Sequence, residues 1–280
     1  MKFLSGALAI CLLVSATACG GGGSPKPPTS GLAGNWQITL VRHNSTEPWN
    51  FSGFLVETGK TLSGSMILGA GAPCSTESGP ITGSVDGSNV QMTIDSLGQD
   101  FSLTGSAASA SGGSSTMSGQ FSTLNGPCLG SSSTGNWTAV QVLPLTSPFH
   151  GTATYVTQGL NGSPVTAVIN LSGTIAQGPN AGASNATVTG TFSATSAQQF
   201  CSYLTTGYMT GLVSGTGVRI TLFGPDGSVA GSVPFQNSTI PATLTLGPDG
   251  TPLELDGIGG LQGASSACTA QNITVQLLFP

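Results

Sequence analysis

Short runs of strictly alternating apolar and polar residues, separated by glycine turns, limit what this chain can fold into. In NVQMTID (89–95), Val90, Met92 and Ile94 share one face while Gln91, Thr93 and Asp95 share the other. GVRITLF (217–223) repeats the pattern with Val218, Ile220 and Leu222. A period of two places alternate side chains on opposite faces of a strand, so these are antiparallel strands with one wet face. Asp86-Gly87, Gly224-Pro225-Asp226-Gly227 and Gly247-Pro248-Asp249-Gly250 supply turns between the runs. No stretch follows a 3.6-residue period, so the expected fold is all-β.

Those two runs belong to a repeat. TGSVDGSNVQMTI (82–94) matches TGLVSGTGVRITL (210–222), LSGSM (62–66) matches VTGTF (188–192), and Cys74 matches Cys201. The displacements agree to within two residues, which indicates an internal duplication. GNW recurs at 34–36 and 135–137, and FSG (51–53) resembles FHG (149–151) at a shorter displacement. The second copy then carries roughly 25 extra residues, and 164–185 fits an inserted hairpin.

The expected organisation is two tandem antiparallel β-meander modules, 34–134 and 135–280. About eight strands in each suit small barrels, with paired β-sandwiches as the rival. The strand after the second GNW has two apolar faces, Trp137, Ala139 and Leu143 against Val140 and Val142, which places it at the junction. The G-x-W strand resembles the opening of lipocalin and avidin-type barrels. That resemblance gives Trp36 and Trp137 a core role.

The N-terminus has its own logic. Met1-Lys2, an apolar run to Val14 and a small-residue stretch ending at Ala18 form a secretory signal peptide, 1–18, too short to span a bilayer stably. The sequence ATAC followed by GGGGSPKPPTSG (residues 16–31) resembles the lipobox and tether of bacterial lipoproteins, with Ala16 where leucine is usual. The resemblance implies that Cys19 carries the acyl chains, palmitate among them, and begins the mature chain. Cys11 lies inside the apolar run. Residues 19–33 then form a Gly- and Pro-rich tether. Gly20 and Gly21 are compatible with an outer-membrane destination; soluble secretion is the alternative. The lipobox, the duplicated Gly/Thr-rich meander and the paired cysteines are together similar to lipoproteins of diderm soil bacteria, a likeness that brings no activity with it.

Four cysteines remain, two per module. Their repeat-equivalent placement selects Cys74–Cys128 and Cys201–Cys268 as disulfides, which an oxidising export compartment permits.

Charged residues make up 5% of the chain, against about 25% in an average soluble protein. After processing, the bases are Lys26, Arg42, Lys60 and Arg219 against ten acids, which argues against electrostatic binding of nucleic acid or an anionic surface. His43 and His150 have no metal-ligand spacing, and no nucleophile elbow or cofactor loop occurs. The expectation is no enzyme, no cofactor and no metal. Asp249, Glu254 and Asp256 lack the calcium-loop pattern. Carboxylate-only chemistry would have Asp95 or Asp100 in one module and Glu254 or Asp256 in the other. The repeat argues against it, because Asp86 aligns with Ser214 and Asp95 with Phe223.

Two functions follow. The first is a cell-envelope lipoprotein with a structural or adhesion role, attached to the membrane by its acyl chains and meeting a glycan or another envelope partner. The second is a binding module for a small apolar ligand or a glycan at a barrel mouth, with His43, Trp49 and Phe51 on the rim. An interior cavity would favour the second, filled cores the first.

Overall fold

The computed structural model describes residues 31–68, 78–96, 99–109, 114–124, 133–158, 161–180, 185–196, 205–234, 241–261 and 270–280. All regular elements among them are strands. The first eight are β1 (Gly34–Arg42), β2 (Pro48–Thr58), β3 (Thr61–Leu68), β4 (Ser78–Asp86), β5 (Asn89–Ser96), β6 (Gln99–Ala108), β7 (Thr116–Thr123) and β8 (Thr134–Val142). Each pairs antiparallel with the next, and β8 returns to β1 through Asn35↔Val142 to Arg42↔Gly135, closing barrel 1.

The remaining strands are β9 (Thr146–Gln158), β10 (Pro164–Asn180), β11 (Ala186–Ser196), β12 (Thr206–Ser214), β13 (Gly217–Phe223), β14 (Val229–Val233), β15 (Ala242–Leu246), β16 (Pro252–Leu261) and β17 (Ala270–Leu278). They form barrel 2, closed by β12–β13 and β9–β17 pairing. β14 pairs with the upper part of β13 and β15 with its start, so the two share the sixth of eight ring positions. The expected pair of small barrels is the fold, and closure rules out the open sandwiches.

The alternation seen in the sequence becomes inside and outside. β4 and β8 bury every second residue over most of their length, and the interior of barrel 1 holds Trp36, Ile38, Phe51, Leu55, Met92 and Leu103 at 2% exposure or less. Outward positions are mostly Ser, Thr, Asn and Gln. A barrel that spans a membrane has the reverse sense, apolar outward and polar inward. Inward glycines let the strands coil tightly: a Cβ on Gly173 would lie 2.0 Å from the Thr191 carbonyl oxygen and 2.9 Å from the Phe149 ring. The hairpins at Gly59, Gly87 and Gly215 open on glycine with φ of 63°, 62° and 59°, as a type II′ loop requires.

The duplication is structural. The matched segments occupy the third, fourth and fifth ring positions of both barrels: β3 with β11, β4 with β12, β5 with β13. Two expectations are corrected. β8, with the second GNW, closes barrel 1 and does not open module 2, so the barrels divide at 143–145 and not at 134/135. Its double apolar character is partly real, because Trp137 and Ala139 enter the barrel 1 core while Val142 joins the core of barrel 2. Residues 164–180 form one long strand, not part of an inserted hairpin. β10 pairs with β9 from Pro164↔Gln158 to Ala176↔Thr146, because its inward series Ala167, Ile169, Leu171 and Ile175 continues through Gly173 without a turn. β9 and β10 are therefore the first and second ring positions.

The barrels dock against each other. The β12–β13 hairpin tip presses on β1 and β2: Gly215 N donates to Asn35 Oδ1 at 2.8 Å, and Thr216 Oγ1 donates to Ser52 Oγ at 2.8 Å. Leu143 N donates to Gly250 O at 2.9 Å, and Gln177 N to Leu145 O at 2.7 Å. Phe54 and Val142, outward on barrel 1, are buried in barrel 2's hydrophobic cluster.

Candidate binding surfaces

The end of barrel 1 where β1 stops and β2 starts is sealed. Trp49, expected on a rim, is 4% exposed and packs against Phe101 at 6.1 Å and Phe121 at 6.3 Å between ring centroids. Phe51 is fully buried, 5.1 Å from Phe101. Period-two alternation from Trp49 points both rings inward, so they are core and not rim. The Arg42 guanidinium lies 4.6 Å from the Trp49 ring centroid, a cation–π cap. His43 is exposed, and its backbone N–H donates to Thr134 O at 3.1 Å. Gln99, at the start of β6, has a buried side-chain amide with no hydrogen-bond partner among the described residues.

The candidate acids are dispersed. Asp95 and Asp100 sit opposite each other on the β5–β6 hairpin of barrel 1, while Glu254 and Asp256 lie on β16 of barrel 2. Asp256 is held above the usual carboxylate range by desolvation and, second, by the charge of Glu254. Gln276 Nε2 donates to Glu254 Oε1 across the β16–β17 pair. Asp249 and Asp226 are held below the usual range by hydrogen bonds within their own turns, from Thr251 and Ser228 respectively. His150 is exposed on β9. No group of three or more metal-ligating side chains occurs among the described residues.

Cys19, Cys74, Cys128, Cys201 and Cys268 all lie outside the described residues. In barrel 1 the ends of β3 and β7 lie at the same end as the starts of β4 and β8, and in barrel 2 the ends of β11 and β16 lie at the same end as the starts of β12 and β17.

Two spaces remain. Barrel 2 holds an apolar cavity of about 50 Å³ lined by residues such as Phe149, Ala153, Ile169, Met209, Leu222 and Val275. That is far below the roughly 300–1,000 Å³ of ligand pockets, and below the roughly 150 Å³ of an apolar cavity known to admit benzene. A groove of about 400 Å³ crosses the outside of barrel 1 and ends against Pro248 of barrel 2. Sequence reasoning missed it, because its outward threonines and serines look like any wet strand face.

No family model matches this chain, and no curated protein does. Among solved structures, a porin-like protein from Bacteroides uniformis ATCC 8492 aligns over 89% of this chain and 97% of its own, at 8% identity. The TM-score is 0.14, too low to carry a structural argument.

Proposed function

We propose that this protein is a non-enzymatic lipoprotein of the cell envelope, anchored in the outer membrane by acyl chains on Cys19, with a structural or adhesion role. One observation carries the interaction role: two closed, docked barrels with well-filled interiors turn uncharged hydroxyl and amide side chains outward. Among the described residues the interior space of barrel 2 is too small for a ligand, so the outer walls are what such a body offers. The small cavity in barrel 2 weighs against the barrel-mouth alternative, since its volume is too small for a drug-sized molecule. The anchoring rests on the ATAC lipobox and the tether that follows it. Two acyl or lipid signals suffice for stable attachment.

Fractionation with intact-mass analysis tests this. The wild-type chain is expected in the membrane fraction with acylated Cys19, and Cys19→Ala is expected in the soluble fraction with its barrels intact. Wild-type protein in the supernatant with an unmodified cysteine would refute the anchor, and release of reducing ends from cell-wall polysaccharides would refute the non-enzymatic reading.

Disulfides Cys74–Cys128 and Cys201–Cys268 belong to the same reading. Each closes a loop of roughly 50–70 residues, worth about 4 kcal/mol by the chain-entropy relation. Non-reducing peptide mapping is expected to find these two pairs; a bridge between barrels would overturn the pairing and its repeat logic together.

A further inference from the structure

The groove on the outer wall of barrel 1 is a built surface. β1, β8 and β7 lie side by side there, and their register sets outward residues in rows: Gln37–Val140–Thr116 and Thr39–Thr138–Ser118. Pro248, in the 247–250 turn of barrel 2, forms the end wall. That turn is fixed to barrel 1, because Gly250 O accepts from Leu143 N and Asp249 O accepts from Ser114 Oγ. Within the turn, Gly247 N donates to Thr251 O at 2.8 Å and Thr251 N to Asp249 Oδ1 at 3.1 Å. The wall therefore exists only while the barrels are docked.

The chemistry of the lining selects a ligand class. None of the lining residues is charged. Threonine and serine hydroxyls and the Gln37 amide each both donate and accept, which matches a ligand whose own groups do both. Val140 and Pro248 add small apolar surfaces suited to the C–H faces of a ring. A peptide strand would need a free sheet edge, and β1, β8 and β7 are each paired on both sides. A nucleic acid would need cations, and a bound metal ion would need carboxylates. We propose that this groove binds a segment of a neutral polysaccharide. The proposal rests on the interaction role given above and names its partner class. The volume of about 400 Å³ falls within the range of ligand sites.

The test uses the full acylated chain, purified in a zwitterionic detergent so that no sugar headgroup competes. The probes are fluorescently labelled hexaoses of β-1,4-glucose, β-1,3-glucose, α-1,4-glucose and β-1,4-N-acetylglucosamine, read by polarisation. At least one is expected to bind. Thr39→Ala, Thr138→Ala and Ser118→Ala together are expected to weaken that binding by about tenfold or more with the melting temperature unchanged. Thr82→Ala with Gln91→Ala, on the outward face of β4 and β5, is expected to leave it unchanged. Gly250→Val would place a Cβ 2.1 Å from Gln141 O, displacing the Pro248 wall, and is expected to abolish binding while both barrels stay folded. Binding by none of the four hexaoses, or binding that the groove variants leave intact, overturns the proposal. Failure here leaves the lipid anchor standing, because fractionation of Cys19→Ala reads that separately.

Discussion

Trp137→Ala is expected to destabilise barrel 1 by about 3–5 kcal/mol, at the upper end for this kind of truncation. Trp137 is 1% exposed on β8, and Gly119 on β7 and Gly105 on β6 continue its row across the wall. Its indole crosses β7, since Nε1 donates to Thr104 O on β6 at 3.1 Å. The space beneath the ring cannot be refilled from below. A Cβ on Gly119 would sit 2.0 Å from Thr104 O and 2.5 Å from Gly105 Cα, so these strands approach too closely to carry side chains. Removing the indole therefore leaves a cavity and takes one hydrogen bond from the Thr104 carbonyl. All three tryptophans belong to barrel 1, so tryptophan fluorescence during denaturant unfolding follows that barrel alone. Trp137→Phe is expected to recover most of the loss, the remainder being the indole hydrogen bond at about 1 kcal/mol. Thr138→Ala, on the wet face next door, is expected to stay within about 0.5 kcal/mol. A cost below about 1 kcal/mol for Trp137→Ala would show that the glycine floor collapses and that the ring does not brace the wall.

The same row explains how much of this fold was legible in advance. Period-two alternation and Gly-X turns act locally, so the all-β class, the repeat and the turn at Gly87 followed from the residues themselves. Membership of β8 did not follow. Its outward apolar face is only partly core, since Val142 serves the core of barrel 2 from the wall of barrel 1 while Val140 lines the outer groove, and no local pattern distinguishes a junction from a domain start. The length of β10 did not follow either, because Gly173 admits the Phe149 ring and the strand runs on without a turn. Trp49 and Phe51 are core and not rim, as their alternation along β2 already indicates. The groove was invisible for a different reason. Thr138, Ser118 and Thr39 lie 110, 130 and 209 residues from Pro248 along the chain, and only barrel closure and docking bring them to one surface.

Gly215→Val is expected to separate the two barrels while leaving each folded. Gly215 adopts φ 59° at the β12–β13 tip, and a Cβ there would lie 2.1 Å from Ser52 Oγ and 2.2 Å from Gly53 N on β2. The substitution adds left-handed strain of about 1–2 kcal/mol and forces the tip away from β2. Three hydrogen bonds go with it, from Gly215 N to Asn35 Oδ1 and from Thr216 N and Oγ1 to Ser52, at about 1 kcal/mol each. Asn35, 1% exposed, loses the donor to its side-chain oxygen. The duplication supplies the control. Gly87 occupies the equivalent turn of barrel 1 with φ 62°, and a Cβ there meets nothing within 4 Å. Gly87→Val therefore carries the strain without the collision, and the difference between the two variants isolates the docking contact. Small-angle scattering is expected to show a longer particle for Gly215→Val and an unchanged one for Gly87→Val. Thermal unfolding is expected to split into two transitions only in the first, with fluorescence marking which belongs to barrel 1. Equal scattering and equal melting for both variants would mean that the hairpin tip lies beside β2 without holding it, and that the contacts at Leu143, Gln177 and Gly250 suffice to join the barrels.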